Sequence, residues 1–276
     1  MTVVCAPASP NLFPVGTTTV SCSATDAIKL ADSCSFQVAI TPPPSLSATS
    51  FIAFGDSLSD GVLGLTAVGA FPGDPGPSVG YAFKLRTMLR DRYTAQTIAM
   101  TDEGCPGELV STPTPGACAG GVNRMPTALS RDRPQAVLLL EGINDLNNSG
   151  GDAIDMVVSG LRTMVRQARG AGLPVFIGTM MPERPGGIRY HEGAAVAIPP
   201  TNQAIKFMAS TEGAIVVDLF AAFDGKTDTL LGPDGLHPND AGYTVMAQTF
   251  YDAIKARLES PGATTLMPFT MPFPRR

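Results

Sequence analysis

Ala136-Val137-Leu138-Leu139-Leu140-Glu141-Gly142-Ile143-Asn144-Asp145 is the stretch on which the reading of the fold turns. Its first five residues are all apolar and leave no polar face. A strand built from them is buried on both sides, as in a parallel sheet covered by helices. A strand with one wet face would alternate instead. Outward from this run, short apolar segments at 51–54, 96–100, 175–179 and 214–219 read as further strands. Between them lie helical stripes. Residues 78–91 carry Tyr81, Leu85, Met88 and Leu89 on one face. Ile154, Val157, Val158, Leu161, Val165 and Ala168 form a second stripe, stopped by Gly170 and Gly172. Helices are also expected over 201–210 and 239–258, the latter with Val245, Phe250, Ile254 and Leu258 inward. Strands alternating with helices predict a three-layer α/β/α sandwich on a parallel five-stranded sheet. In such sheets the chemistry sits at the carboxyl ends of the strands, here just after residues 54, 100, 140, 179 and 219.

The whole chain has 276 residues, 44% hydrophobic and 16% charged, which suits one packed α/β domain with a small appendage. A net charge of −5 argues against a nucleic-acid partner, which would need a basic face. Apolar runs stay shorter than the roughly 18 residues of a membrane span. Five cysteines, at 5, 22, 34, 105 and 118, form no C-x-x-C pair and have no neighbouring histidine, so a metal site is not expected. Residues 1–48 differ from the rest. Thr17-Thr18-Thr19-Val20-Ser21-Cys22-Ser23 and Ser35-Phe36-Gln37-Val38-Ala39-Ile40 have the period-2 pattern of two antiparallel strands, and Pro42-Pro43-Pro44 begins a linker. The expected division is a β segment and linker over 1–48, a main domain over 49–262 and a tail over 263–276. Disulfides fit an exported protein, yet the first 25 residues lack a basic n-region and an apolar h-region. The expectation is a piece of a longer exported chain.

With two histidines in the chain, a histidine base is His191 or His237. His191 follows the loop Pro182-Glu183-Arg184-Pro185-Gly186-Gly187, where a surface role is expected. His237 lies in Asp234-Gly235-Leu236-His237-Pro238, directly before the last helix. Asp234 can fold back to accept from Nδ1–H and leave Nε2 as a base, although Asp-x-x-His alone is equally a capped turn. A nucleophile fits Ser57, in Gly55-Asp56-Ser57-Leu58 at the end of the first strand. Ser78, in Gly76-Pro77-Ser78-Val79-Gly80, matches G-x-S-x-G, but Pro-rich sequence rather than a strand precedes it, and it reads better as a helix cap. Asn144 can donate its amide into the cleft, and Gly107, or the nearby Gly104, can offer a backbone N–H to an oxyanion.

These elements in this order resemble the SGNH hydrolases, the GDSL family of esterases and lipases, over about residues 50–260. The resemblance implies a flavodoxin-like hydrolase fold and an ester substrate of small-molecule type, with no cofactor. It implies Ser57 as nucleophile, His237 as base and Asp234 as its orienting partner. Ser57 N–H, Gly107 N–H and the Asn144 amide would form the oxyanion hole. Many members carry Asn where this chain has Asp102, which puts the hydrogen bonding of that loop in question. The N-terminal text, Phe13-Pro14-Val15-Gly16-Thr17-Thr18-Thr19-Val20 with Ala24-Thr25-Asp26 and Cys34-Ser35-Phe36, resembles the second half of a HYR repeat. That immunoglobulin-like module belongs to extracellular bacterial proteins and implies an extracellular or cell-surface location. Competing readings are a non-catalytic binding module and an α/β-hydrolase built on Ser78. Cys105 and Cys118 bracket Gly107 in a Pro/Gly-rich loop and are expected to be bonded to each other. Gly, Pro, Asp and Arg in the loops at 71–76 and 182–187 suggest a shallow groove for short acyl chains of about two to six carbons. Acetylated sugars, lysophospholipids and thioesters stay open as alternatives, as does the oligomeric state.

Overall fold

A computed structural model describes residues 2–8, 12–64, 80–113 and 118–260. Ser78 and the tail at 263–276 lie outside the described residues. The chain divides into two compact units, one ending at Ser45 and the other spanning Leu46–Glu259. The first holds an antiparallel sheet of β1 (Thr2–Ala6), β2 (Gly16–Thr25) and β3 (Ala31–Ile40), in that order. The alternation at 17–23 and 35–40 falls in β2 and β3. The added strand β1 has Val3 and Val4 side by side, so period 2 does not reveal it. Cys5 lies opposite Cys22 in register and is bonded to it, while Cys34 faces Cys22 from β3 as a free thiol.

The second unit is built on five parallel strands: β4 (Ser50–Gly55), β5 (Ala99–Gly104), β6 (Ala136–Leu140), β7 (Val175–Gly178) and β8 (Ile215–Val217). Their spatial order is β5-β4-β6-β7-β8, with every neighbouring pair parallel. Every residue of β6 is buried, as a strand covered by helices on both faces requires. Helices α1 (Tyr81–Arg92) and α6 (Asp240–Leu258) pack together, while α4 (Ile154–Gly170) packs against both α2 (Gly121–Asp132) and α5 (Glu192–Glu212). The short α3 (Ile143–Ser149) follows β6. From β4 the chain runs to β5 on one side, then crosses to β6 on the other. The reversal opens a crevice beyond the carboxyl ends of β4 and β6, where open α/β sheets bind ligands.

Three elements differ from expectation. The strand expected at 96–100 runs from Ala99 into Thr101, Asp102 and Glu103, because β5 is an edge strand with exposed positions. The helix expected over 201–210 starts at Glu192, since Pro199 and Pro200 sit on its exposed face instead of ending it. Helix α2 is masked in sequence by Gly120-Gly121 and by Pro126, which has no N–H for the Val122 carbonyl. Gln167 of α4 supplies the missing donor, its Nε2 lying 3.1 Å from that carbonyl.

Candidate active site

Strand β4 ends at Gly55, where a Cβ would run into the Leu140 carbonyl of β6. Glycine therefore lets the two strand ends close up at the crevice. The chain then turns into a single helical turn, Ser57–Asp60, capped by Asp56, whose Oδ1 accepts from Leu58 N–H at 2.9 Å. This places Ser57 at the helix start, facing the cleft. Its Oγ lies 2.9 Å from His237 Nε2, and His237 Nδ1 lies 2.6 Å from Asp234 Oδ2. The other carboxylate oxygen of Asp234 accepts from the Leu236 and His237 amides, each at 3.0 Å. All three side chains are buried. Burial opposes ionisation of Asp234, but hydrogen bonding and electrostatic attraction from His237, with the two amides, hold its carboxyl below the ordinary range.

The loop after β7 does more than border the groove. Arg184 N–H donates to the Gly235 carbonyl at 2.8 Å and Arg189 N–H to the Asp234 carbonyl at 2.9 Å. Gly187 is pressed so closely on Asp234 that a Cβ there would overlap its carbonyl. The Arg184 guanidinium adds a bond to the Gly232 carbonyl at 2.8 Å. This loop thus brackets the Asp234–His237 segment, a contact that local sequence patterns do not carry. His191, expected at the surface, is exposed but also lines the cleft, and its N–H donates to Glu183 Oε2 at 2.8 Å.

The cleft has a volume of about 210 Å³ and is lined by Ser57, Gly107, Asn144 and His237. Val62, Pro106 and Leu236 add apolar surface, while Asn147, Asn148, Arg189 and His191 add polar groups. Of the two candidate glycines, Gly107 lines the cleft, whereas Gly104 is packed against the Asp60 backbone on β5. Cys105 and Cys118 are bonded to one another beside it. Asn144 Nδ2 donates to the Glu108 carbonyl at 3.0 Å, and Asp145 Oδ2 accepts from Val110 N–H at 3.1 Å. Asp102, the departure from the family pattern, uses Oδ1 to accept from Gly104 N–H at 2.9 Å and so supports the start of the loop.

Beneath the cleft lies a group of buried acids that the motifs did not reveal. Asp56 is pushed up to about 7 by burial and by the charges of Glu108 and Asp145, against the Leu58 amide. Glu141 ends the apolar run of β6 and is itself buried. Burial, then the charges of Asp56 and Glu108, push its carboxyl well above the usual range. Burial also raises Asp145, to about 6, against the Val110 amide. One cation enters this group. The Arg124 guanidinium of α2 binds Glu108 at 2.5 Å and Glu103 at 3.1 Å.

The profile of the GDSL-like lipase/acylhydrolase family matches residues 53–245. No curated protein sequence matches the chain. Among solved structures, the chain is similar to an aryl esterase from M. smegmatis (18% identity, 76% of this chain and 99% of that one, TM-score 0.59). It is also similar to Est24, a carbohydrate acetylesterase from Sinorhizobium meliloti (19% identity, 75% and 98%, TM-score 0.57). A third is the lipase/acylhydrolase from Enterococcus faecalis (21% identity, 78% and 98%, TM-score 0.58). At these identities the likenesses show the fold alone. With the family profile running from within β4 through Ser57 and past His237, the chain belongs to the GDSL-like lipase/acylhydrolase family and is a carboxylic ester hydrolase.

Proposed function

We propose that the protein is a serine esterase that hydrolyses short-chain carboxylic esters through an acyl-enzyme. The observation that carries this reading is the hydrogen-bonded series Asp234, His237, Ser57, opening on a small cleft that Gly107 and Asn144 also line. His237 Nε2 takes the Ser57 proton as Oγ attacks the ester carbonyl. The negative charge that forms on the carbonyl oxygen is met by Ser57 N–H, Gly107 N–H and the Asn144 amide. His237 then protonates the departing alcohol, and water repeats the sequence on the acyl-enzyme. Asp234 keeps the Nδ1 proton in place and offsets the charge that His237 acquires.

A cleft of about 210 Å³, whose apolar walls among the described residues are Val62, Pro106 and Leu236, supports acyl chains of about two to six carbons, while the loop at 71–76 that also suggested a shallow groove lies outside the described residues. Asn147, Asn148, Arg189 and His191 at the same cleft favour a hydrogen-bonding alcohol, so an acetylated carbohydrate is the second reading. Two disulfides support an extracellular or cell-surface location. Among the described residues no helix is long and apolar enough to cross a membrane. The division into a HYR-like segment over 1–48, a hydrolase domain over 49–262 and a tail over 263–276 belongs to the same reading.

A fluorophosphonate probe should label Ser57 in the wild-type protein and not in Ser57→Ala, which should also lose turnover. On p-nitrophenyl esters below their micelle concentrations, kcat/KM should peak at short acyl length. A rise continuing through long chains would overturn the short-chain reading, and labelling that persists in Ser57→Ala would overturn the nucleophile.

A further inference from the structure

Arg124 lies outside every catalytic motif, yet it meets the supports of all three proposed oxyanion donors. Its Nε lies 3.0 and 3.1 Å from the two Glu108 carboxylate oxygens, and Nη2 lies 2.5 Å from one of them. Nη2 also donates to the Gly55 carbonyl at 3.1 Å, at the strand end that leads into Ser57. The same carbonyl accepts from Cys105 N–H at 2.8 Å, two residues before Gly107. Glu108 follows Gly107 directly, and its own carbonyl holds the Asn144 amide at 3.0 Å. The guanidinium lies over the Phe54 ring of β4, 4.0 Å from its centroid, and Nη1 reaches Glu103 of β5. Glu108 is fully buried. Removing one partner of a buried, forked ion pair leaves the other charge uncompensated, so the pair holds its loop firmly.

We propose that the Arg124–Glu108 pair is a positioning device that sets the spacing of the oxyanion hole by fastening the Gly107–Glu108 loop to the end of β4. The inference rests on the esterase reading above. Arg124 is a positioning residue, one side chain removed from the reacting atoms. Donors to an oxyanion act over a narrow range of about 2.7–3.1 Å. A misplacement of about 1 Å costs up to about a hundredfold in rate. Ground-state binding of a small ester depends far less on those donors. Loosening the pair should therefore lower kcat and leave KM nearly unchanged.

The test compares Arg124→Lys and Glu108→Gln with the wild-type protein on p-nitrophenyl acetate, at a temperature well below each melting point. Arg124→Lys keeps the charge and loses the fork, while Glu108→Gln keeps the shape and loses the charge. Arg131→Gln is the control. It removes the other cation bound to Glu103, on the exposed part of the same helix, and leaves Glu108 untouched. The expected result is a fall in kcat of about 10- to 100-fold in both variants, with KM within about twofold. The affinity of a boronic acid, which forms a tetrahedral adduct on serine, should fall by the same factor. Arg131→Gln should match wild type in all three. Folded variants with wild-type kcat, or with a raised KM and unchanged boronate affinity, would overturn the proposal. If Arg124→Lys fails to fold, Glu108→Gln decides it. A wild-type protein with neither turnover nor Ser57 labelling would instead overturn the esterase reading, and the proposal with it.

Discussion

Replacing Asp234 by Asn removes no volume and yet should nearly silence the enzyme. Asp234 Oδ1 already accepts two backbone amides at 3.0 Å, and Oδ2 faces His237 Nδ1 at 2.6 Å. An asparagine oxygen placed at the Oδ1 site keeps both amide bonds but turns its NH2 group toward Nδ1. Nδ1 must then accept, so the ring proton moves to Nε2. That nitrogen lies 2.9 Å from Ser57 Oγ and would donate to the serine when it is needed as an acceptor. The flipped amide restores the acceptor at Nδ1 but sets its NH2 against two backbone donors at hydrogen-bond distance. Neither rotamer yields the working tautomer without leaving a buried donor unpaired. Substitution of this kind in a serine triad costs about 10⁴ in kcat, or about 5 kcal/mol of barrier. The assay is kcat on p-nitrophenyl acetate, with circular dichroism to establish that the variant is folded and the rate of phosphonate labelling as a second readout. A folded Asn variant whose kcat stays within about tenfold of wild type would refute the tautomer reasoning.

Two further outcomes follow from the covalent and ionic framework. Replacing Cys105 and Cys118 together by Ser opens a loop with a sequence separation of 13, which should destabilise the fold by about 3 kcal/mol in the chain-entropy view and lower Tm by several degrees; an unchanged Tm in calorimetry would show that the loop is held without the bond. Asp56 and Glu183, raised mainly by burial to about 7, and Asp145, to about 6, bind protons in the folded state that they release in the unfolded one. Their contribution is full below the ordinary carboxylate range and is lost as pH rises through about 6–7. Asp234 and Glu259 have lowered values, so their contribution is lost only as pH falls below that range. The melting temperature should therefore peak at about pH 4, near the crossing of the two sets, and decline as pH rises toward 7; a Tm that climbs steadily over the same interval would refute the assignment.

How much of this was legible in the chain depends on the range of the contact concerned. Strand β6 shows itself because burial on both faces removes every polar position, so the pattern is complete within five residues. Ser57 after a strand and Asp-x-x-His before a helix are likewise local arrangements, and the fold brings their side chains within hydrogen-bond distance. The edge strand β5 is less legible because its exposed side admits Thr101, Asp102 and Glu103. Helix α2 is hidden because Pro126 is tolerated only through Gln167, a residue of another helix. The bracket on the triad is hidden for the same reason, since the closeness of Gly187 to Asp234 belongs to two loops that sequence does not place together.

Glu141 shows why such longer-range features sit where they do. A glutamate closing an apolar run reads naturally as the point where a strand meets water. Here the strand ends of β4 and β6 close together at Gly55, and Glu141, next after Leu140, is buried with its carboxylate against Gly121 of α2. Arg124 is engaged with Glu108, Glu103 and the Gly55 carbonyl, and the Glu141 oxygens have no hydrogen-bond partner among the described residues, so burial pushes that carboxyl well above the usual range. Burying a carboxyl in this way is unfavourable for folding. The proposed mechanism needs that closure, because in it Ser57 and Asn144 approach one substrate carbonyl from the ends of these two strands. The acid cluster is thus the electrostatic cost of bringing nucleophile and oxyanion donor together, and the Arg124–Glu108 pair is the part of it that holds the geometry.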